Sequence, residues 1–241
     1  VYQGRIEREG YRAVCDELHK RSKDKAILIL TTYGGDPNAA YRIARAFLHT
    51  YQSDNFRVMV PGVCKSAGTL LCIGASELII ADTGELGPLD IQVSKPDEMF
   101  QNASGLDILQ AIDYLQTKAV RSFCDALLDI NIKSRVSTKT AANIAETLVG
   151  SMFQPIFSQI DPIRLGEMQR AIKIAEKYGE RLSEYHGSLL PNALYRLIWD
   201  YPAHGFVIDR REARTLFNRV NAPNDVEKNI AEFVVEKFGS P

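Results

Sequence analysis

The sequence has no long apolar run, no excess of charge of either sign and no recognisable secretory signal. No stretch approaches the roughly 18–20 consecutive apolar residues that a membrane-spanning helix needs. The 241 residues carry a net charge of -1, which gives no electrostatic reason to expect nucleic acid or an anionic membrane as a partner. The sequence begins at Val1, and we expect membrane association only through a segment that would precede this residue.

Cysteine is scarce, and the four cysteines show no CxxC pair or other metal-ligand spacing. Cys64 and Cys72 lie in apolar surroundings and are predicted to be buried free thiols, which suits a reducing compartment. We therefore expect a cytoplasmic protein that uses neither a metal nor a cofactor.

The first hundred residues alternate between strand-like and helix-like segments. After an amphipathic helix over residues 4–20, the run Ala26–Leu30 is apolar without polar alternation, which is typical of a strand buried on both faces. "NFRVMVPGV" and "SELIIAD" are two further strand candidates, separated by helices that begin near Asp36 and Ser66. This order predicts an α/β fold with right-handed crossovers and a parallel core sheet.

The pattern becomes almost entirely helical from Gly105 onward, with Ser137 as a predicted helix cap. We expect an α/β core over residues 1–102 and a helical arm or insertion over residues 103–190. Residues 191–241 are expected to return to the core, with Asp209 capping a short helix before an amphipathic C-terminal helix.

Two glycine-containing turns follow consecutive strands, and both are expected at the carboxyl edge of the sheet, where open α/β sheets bind ligands. The turn "TYGGDP" contains Gly34 and Gly35, and the turn "KSAGT" places the hydroxyl of Ser66 at the start of a helix. If the turns face each other, Ser66 can attack a carbonyl while the N–H groups of Gly35 and Ala67 bind the oxyanion.

Simpler interpretations of the same residues stay open at this point. A serine before a helix is usually a cap, and Gly-Gly after a strand is usually a turn. Helix starts also bind phosphate, but neither GxGxxG nor GxxxxGK[ST] is present.

Three segments carry a resemblance: "LILTTYGGDPNAAYRIARAF", "VMVPGVCKSAGTLLCIGASELIIADTGELGPLDIQV" and "YPAHGFVIDRREA". Together they resemble the serine dehydrogenase proteinase family, which belongs with Clp protease subunits, signal peptide peptidase A and the crotonases. The resemblance implies the ClpP/crotonase fold of repeated ββα units. It also implies Ser66 as nucleophile, with Gly35 and Ala67 supplying the oxyanion hole and Gly34 in the same turn.

The resemblance leaves the general base open between a histidine and a lysine. Clp subunits have a histidine about where this chain has Asp90, and an aspartate where this chain has His204. The implied triad is therefore Ser66, His204 and Asp90, with two positions exchanged, and such triads do vary in chain order. A structural role for His204 and a turn role for Asp90 remain the alternatives.

Signal peptide peptidase A uses a Ser–Lys dyad whose lysine lies downstream on a helix, and here Lys118 lies in the long helix after residue 105. Lys118 would be a competent base if it were buried, because desolvation disfavours the charged form. A solvated lysine on a helix surface is the alternative. Lys65, beside the serine, is expected instead to bind a partner or a carboxylate.

The function predicted from these residues is that of a serine peptidase acting on a peptide or protein substrate. The alternative is an inactive oligomeric binding or scaffold module with the same fold, and a crotonase-like acyl-CoA enzyme is less favoured because no suitable carboxylate pair is found. The resemblance also implies a homo-oligomer.

Overall fold

The computed structural model describes residues 1–21, 23–51, 53–89, 92–94 and 102–238. The chain divides into two compact units. The core unit contains residues 1–91 and 171–241, and the helical unit contains residues 92–170.

Strands and helices alternate through the first part of the core unit, which contains β1 (Tyr2–Gln3), α1 (Arg8–His19), β2 (Ala26–Thr31), α2 (Pro37–Thr50), β3 (Phe56–Val60), β4 (Val63–Cys64), α3 (Ala67–Ile73), β5 (Glu77–Ile80) and β6 (Glu85–Leu86). Next come β7 (Gln92–Ser94), β8 (Asn102–Ser104), α4 (Gly105–Ser134), α5 (Thr138–Phe157) and α6 (Pro162–His186). The chain continues with α7 (Ala193–Trp199), α8 (Arg210–Ala213), β9 (Val220–Asn221) and α9 (Asp225–Phe238).

A five-stranded sheet lies at the centre of the core unit, and its strands run parallel in the order β1-β2-β3-β5-β9. Leu28, Val58, Leu78 and Val220 are in register across four of these strands, and all four are buried. Successive side chains of a strand point to opposite faces, so the burial of every residue in 58–60 means that β3 is covered on both faces. The parallel sheet predicted from the continuous apolar runs is confirmed.

Short extended segments directly after the main strands pair with one another and form a second, smaller layer. β4 pairs in parallel with β6, and Thr32, directly after β2, forms a parallel bridge to Cys64. On the other side, Leu86 of β6 forms an antiparallel bridge to Ile208. The strands β2, β3 and β5 are thus each followed by a short extended segment in this layer, which is the repeated ββα arrangement that the resemblance implies.

Side-chain caps set the starts of several helices. Asp36, Ser137 and Asp209 accept hydrogen bonds of 2.9, 3.1 and 2.7 Å from backbone N–H groups two or three residues further on. These caps confirm the three helix starts predicted from the sequence. The predicted helix over residues 4–20 is shorter than expected, because the chain first forms the edge strand β1 and α1 begins at Arg8.

The helical unit contains an antiparallel pair, β7 with β8, and the long helices α4 and α5, which pack against each other. Ala141, Ala145 and Val149 are the buried side chains of α5, and their spacing of four places them on one face of the helix. Within the part of the chain that the structure describes, no helix is long and apolar enough to cross a membrane.

The second division between the units, at residues 170 and 171, falls inside α6, which runs without interruption across it, and the boundaries expected at residues 102 and 190 stay predictions. The second half of α6 packs as part of the core: Leu182 is fully buried, and the ring of Tyr178 stacks on that of Tyr41 with centroids 4.1 Å apart.

Candidate active site

Ser66 stands between β4 and α3 in a backbone conformation that is rare for residues other than glycine. Its φ is 49° and its ψ is -110°, and its side chain makes no capping hydrogen bond to the helix that follows. Conformations of this kind cost roughly 1–3 kcal/mol and concentrate at functional sites. A sharp strand-to-helix turn with a serine at its tip also presents the nucleophile in α/β-hydrolases.

Close packing behind the serine requires a glycine at position 68. A Cβ on Gly68 would lie 2.5 Å from Cγ2 of Thr32 and 2.7 Å from Sγ of Cys64. All residues of α3 are buried, so this short helix enters the interior directly after the serine. Only a glycine at position 68 lets α3 pack this closely against the end of β2.

The turn containing Gly34 lies directly against the serine turn. A Cβ on Gly34 would lie 3.1 Å from Cβ of Ser66 and 3.5 Å from the amide nitrogen of Ala67. The approach is held by the backbone, since the N–H of Lys65 donates to the carbonyl of Thr32 at 2.9 Å. The structure thus brings together the two turns that the sequence singled out.

The backbone N–H groups of Gly35 and Ala67 lie outside the bridge to Ile6 and the hydrogen-bond ladder of α3. Ile6 donates to the carbonyl of Gly34 at 2.9 Å and accepts from the N–H of Asp36 at 2.8 Å. In a parallel bridge of this kind, the N–H of the middle residue, Gly35, points away from Ile6. Ala67 opens α3, so its N–H is one of the four at a helix start that have no intrahelical acceptor.

The segment that leads to Asp90 is also held at the serine turn. Gly87 donates its N–H to the carbonyl of Cys64 at 3.1 Å, and its own carbonyl accepts from the hydroxyl of Thr69 at 2.7 Å. Leu89 donates to the carbonyl of Leu197 at 2.8 Å. Asp90 itself lies outside the described residues, so its predicted role stays a prediction.

His204 is half-buried and lies in a tight turn, in which the N–H of Phe206 donates to the carbonyl of Ala203 at 3.0 Å. Two residues beyond Phe206, Ile208 exchanges backbone hydrogen bonds of 2.9 and 3.0 Å with Leu86 of β6. The carbonyl of Phe206 also accepts from Nζ of Lys65 at 3.1 Å. The turn with His204 is therefore tied to the residue directly before Ser66.

Lys65 is buried and pairs with a carboxylate, as its position beside the serine predicted, and the carboxylate belongs to Glu85 of the same chain. Its Nζ lies 2.7 Å from Oε1 of Glu85, and it also donates to the carbonyl of Leu86 at 3.3 Å. The side chain of Lys65 is 6% exposed and that of Glu85 is 25% exposed.

Lys118 belongs to the helical unit, on α4. Its side chain is exposed, and its Nζ lies over the ring of Tyr114 at 5.3 Å from the centroid. The hypothesis that made Lys118 a base depended on burial of this lysine, and this structure shows a solvated side chain.

The two cysteines near the serine turn are buried and are not candidates for the nucleophile. Cys64 and Cys72 are free and fully buried, as predicted, with their sulfurs 3.9 Å apart. The hydrogen bond with Cys64 and the burial of the group raise the pKa of the Cys72 thiol well above its usual range. Neither thiol is suited to nucleophilic chemistry, which leaves the hydroxyl of Ser66 as the candidate nucleophile of this turn.

Comparison with known families shows which family the chain belongs to. The model of the family described as ClpP-like SDH-type serine proteinases matches residues 6–158, more than half of the chain. The chain belongs to this family.

Two proteins similar to this SDH-type chain match it over part of their length. Protein MJ0137 of Methanocaldococcus jannaschii, described as uncharacterized, is 40% identical over 74 residues, which are 30% of this chain and 25% of that protein. A solved structure of a mutant of the 1510-N membrane-bound stomatin-specific protease is 14% identical, with a TM-score of 0.36 over 58% of this chain and 65% of that one. The matches thus span a quarter of the curated relative and less than two thirds of the solved chain.

The sequence of this SDH-type chain did not reveal that Lys65 connects the serine turn to β6 and to the turn with His204. Glu85 and the carbonyl of Phe206 were not singled out, although a signal was present. A lysine within the otherwise uncharged stretch "VPGVCKSAGTLLCIGA" must be paired if it is buried, because lysine is almost never fully buried alone. What no local pattern supplied was the identity of its partners.

Proposed function

We propose that the chain is a serine peptidase, which hydrolyses peptide bonds through an acyl-enzyme formed on Ser66. The observation that carries the proposal is the strained, non-capping Ser66 at the start of a buried helix, against the turn of Gly34. A cap would leave the serine in ordinary extended backbone, whereas a nucleophile at a sharp turn accounts for the positive φ.

The proposed reaction begins with attack of Oγ of Ser66 on the carbonyl carbon of a peptide bond, as its proton passes to the imidazole of His204. The oxyanion binds the N–H groups of Gly35 and Ala67, each worth about 3–4 kcal/mol of barrier in comparable sites. The C–N bond then breaks, the imidazolium protonates the leaving amine, and water hydrolyses the ester by the reverse roles. Asp90 would orient the imidazole.

The contacts of the serine turn favour His204 over Lys118 as the base. The turn with His204 is tied to Lys65, one residue from the nucleophile, through the carbonyl of Phe206. Lys118 is exposed on α4 and lacks the burial on which its proposed role as a base depended. We therefore assign the first role to His204 and keep Lys118 as the second candidate.

Labelling with a fluorophosphonate probe tests the nucleophile. We expect the wild type to be labelled at one site, Ser66→Ala to lose the label, and Ser151→Ala, which changes an exposed serine of α5, to keep it. A wild type that is never labelled, even when assembled, would contradict the proposal and favour the scaffold alternative.

The same labelling reaction distinguishes the two bases. Loss of a general base slows the step by roughly 10²–10⁴-fold, so we expect that decrease in rate for His204→Ala and an unchanged rate for Lys118→Ala. The opposite pair of results would transfer the role to Lys118.

A further inference from the structure

Lys65 makes three polar contacts with its side-chain nitrogen, and each goes to a different acceptor group. Nζ lies 2.7 Å from Oε1 of Glu85, 3.1 Å from the carbonyl of Phe206 and 3.3 Å from the carbonyl of Leu86. A lysine ammonium has three N–H donors and no acceptor, so three acceptors satisfy it completely. Burial of this charge is tolerated because every donor is paired.

The same geometry excludes Lys65 as a general base, although it is the lysine next to the nucleophile. An amine accepts a proton through its lone pair, and a nitrogen that donates three N–H groups has none. The function of this buried cation must therefore be sought in what it holds together.

Three chain segments meet at Lys65. The first is the serine turn, which contains Lys65 itself, and the second is β6, which supplies Glu85 and the carbonyl of Leu86. The third is the tight turn that ends at Phe206, 141 positions further along the chain, whose second residue is His204. An antiparallel bridge between Leu86 and Ile208 joins the β6 segment to the third segment, and the ammonium adds a further point of attachment.

We propose that Lys65 is a positioning residue, whose ammonium group holds the Ala203–Phe206 turn, and with it His204, in place relative to Ser66. Its effect on catalysis rests on the proposed function, because it acts through His204. Its effect on the turn does not depend on any activity.

The test removes both charges at once, since Lys65→Met alone would leave Glu85 as an unpaired, largely buried carboxylate. The double variant is Lys65→Met with Glu85→Gln. The matched control is Arg57→Met with Glu227→Gln, which removes another part-buried ion pair of the core unit, 3.3 Å long, at the opposite end of β3.

Two measurements are made on both double variants. Hydrogen exchange of the amides in residues 203–208 reports the turn directly, and we expect it to accelerate in the Lys65 variant alone. Steady-state hydrolysis of a peptide substrate reports the site. A displacement of about 1 Å costs roughly 10²-fold in rate, so we expect kcat to fall by about this factor with little change in KM.

The possible outcomes separate this inference from the proposed function. Unchanged exchange in residues 203–208, relative to the control, would overturn the positioning role. Faster hydrogen exchange in residues 203–208 with an unchanged kcat would show that Lys65 holds the turn, and it would overturn the proposed effect of Lys65 on catalysis. A wild type without activity would contradict the proposed function, while the exchange measurement would still decide whether Lys65 holds the turn.

A measurement on the wild type covers the case in which the Lys65 variant does not fold. Nitrogen-15 NMR of lysine side chains detects an ammonium group whose protons are buried and hydrogen-bonded. We expect one such protected signal, lost in the charge-conserving variant Lys65→Arg. A spectrum without a protected ammonium would overturn the inference.

Discussion

At Ser66 and the neighbouring glycines, backbone conformation and close packing restrict the residue types more than side-chain chemistry does. The serine accepts a positive φ of 49°, Gly34 takes a φ of 115°, and the space behind the turn is full. An alanine at 34 would be strained twice, by its φ and by a Cβ 3.1 Å from that of Ser66. The residue types in "TYGG" and "KSAG" are therefore explained by close approach of two backbones.

The packing behind the serine leads to a prediction for Gly68→Ala. The added methyl group would lie 2.5 Å from Cγ2 of Thr32, so we expect the unfolding free energy to fall by about 1–3 kcal/mol. Because the clash acts on the serine turn, labelling of Ser66 should slow as well. Chemical denaturation and probe labelling measure the two effects.

Gly62→Ala is the matched control for that substitution. Gly62 precedes β4, and a Cβ there meets no atom within 4 Å. We expect stability to change by less than about 0.5 kcal/mol, as at ordinary surface positions. Equal losses for the two variants would show that the close packing behind Ser66 is not what position 68 requires.

At the scale of elements, helix starts follow from local chemistry and short strands do not. Asp36, directly after the glycine turn, accepts from the N–H of Asn38 and opens α2, with Pro37 at the first helical position. Such caps are readable from the sequence because both partners lie within three residues. The two-residue strands β1, β4, β6 and β9 are too short for any periodicity, and they form because neighbouring strands offer backbone partners.

The cap of α2 leads to a prediction for Asp36→Ala. The substitution removes the acceptor for the N–H of Asn38, so we expect a loss of about 1 kcal/mol in unfolding free energy, within a range of about 0.5–2. Asp36→Asn keeps a side-chain oxygen in place and should retain most of the stability. If chemical denaturation gives the same loss for both variants, the cap is not the cause.

At the scale of the whole molecule, the chain consists of two compact units, and one helix runs across the division between them. α6 begins in the helical unit and ends in the core unit, where Leu182 and the stacked ring of Tyr178 are part of the packing. The sequence indicated a change from α/β to helical character near residue 103. It placed the end of the helical part at residue 190 and gave no sign of the division at residue 170, because helical periodicity looks the same on both sides of that position.

The family resemblance leads to a prediction about assembly. We expect the chain to form a homo-oligomer, as the resemblance to Clp protease subunits implies. Multi-angle light scattering at micromolar concentration should give a mass several times that of one chain. A mass equal to that of one chain, unchanged on concentration, would contradict this prediction.

The sequence by itself determined the order of the longer strands β2, β3 and β5 and of the helices between them, three helix caps and the two turns with Ser66, Gly34 and Gly35. These features depend on residues close together in the chain, where propensity, capping and steric limits act directly. Only the tertiary structure decided that the two turns adjoin and that Lys65 binds Glu85 and the turn of His204. Such contacts join residues far apart in the chain, so they depend on how whole elements pack and on side-chain directions, which the pattern of any one segment does not specify.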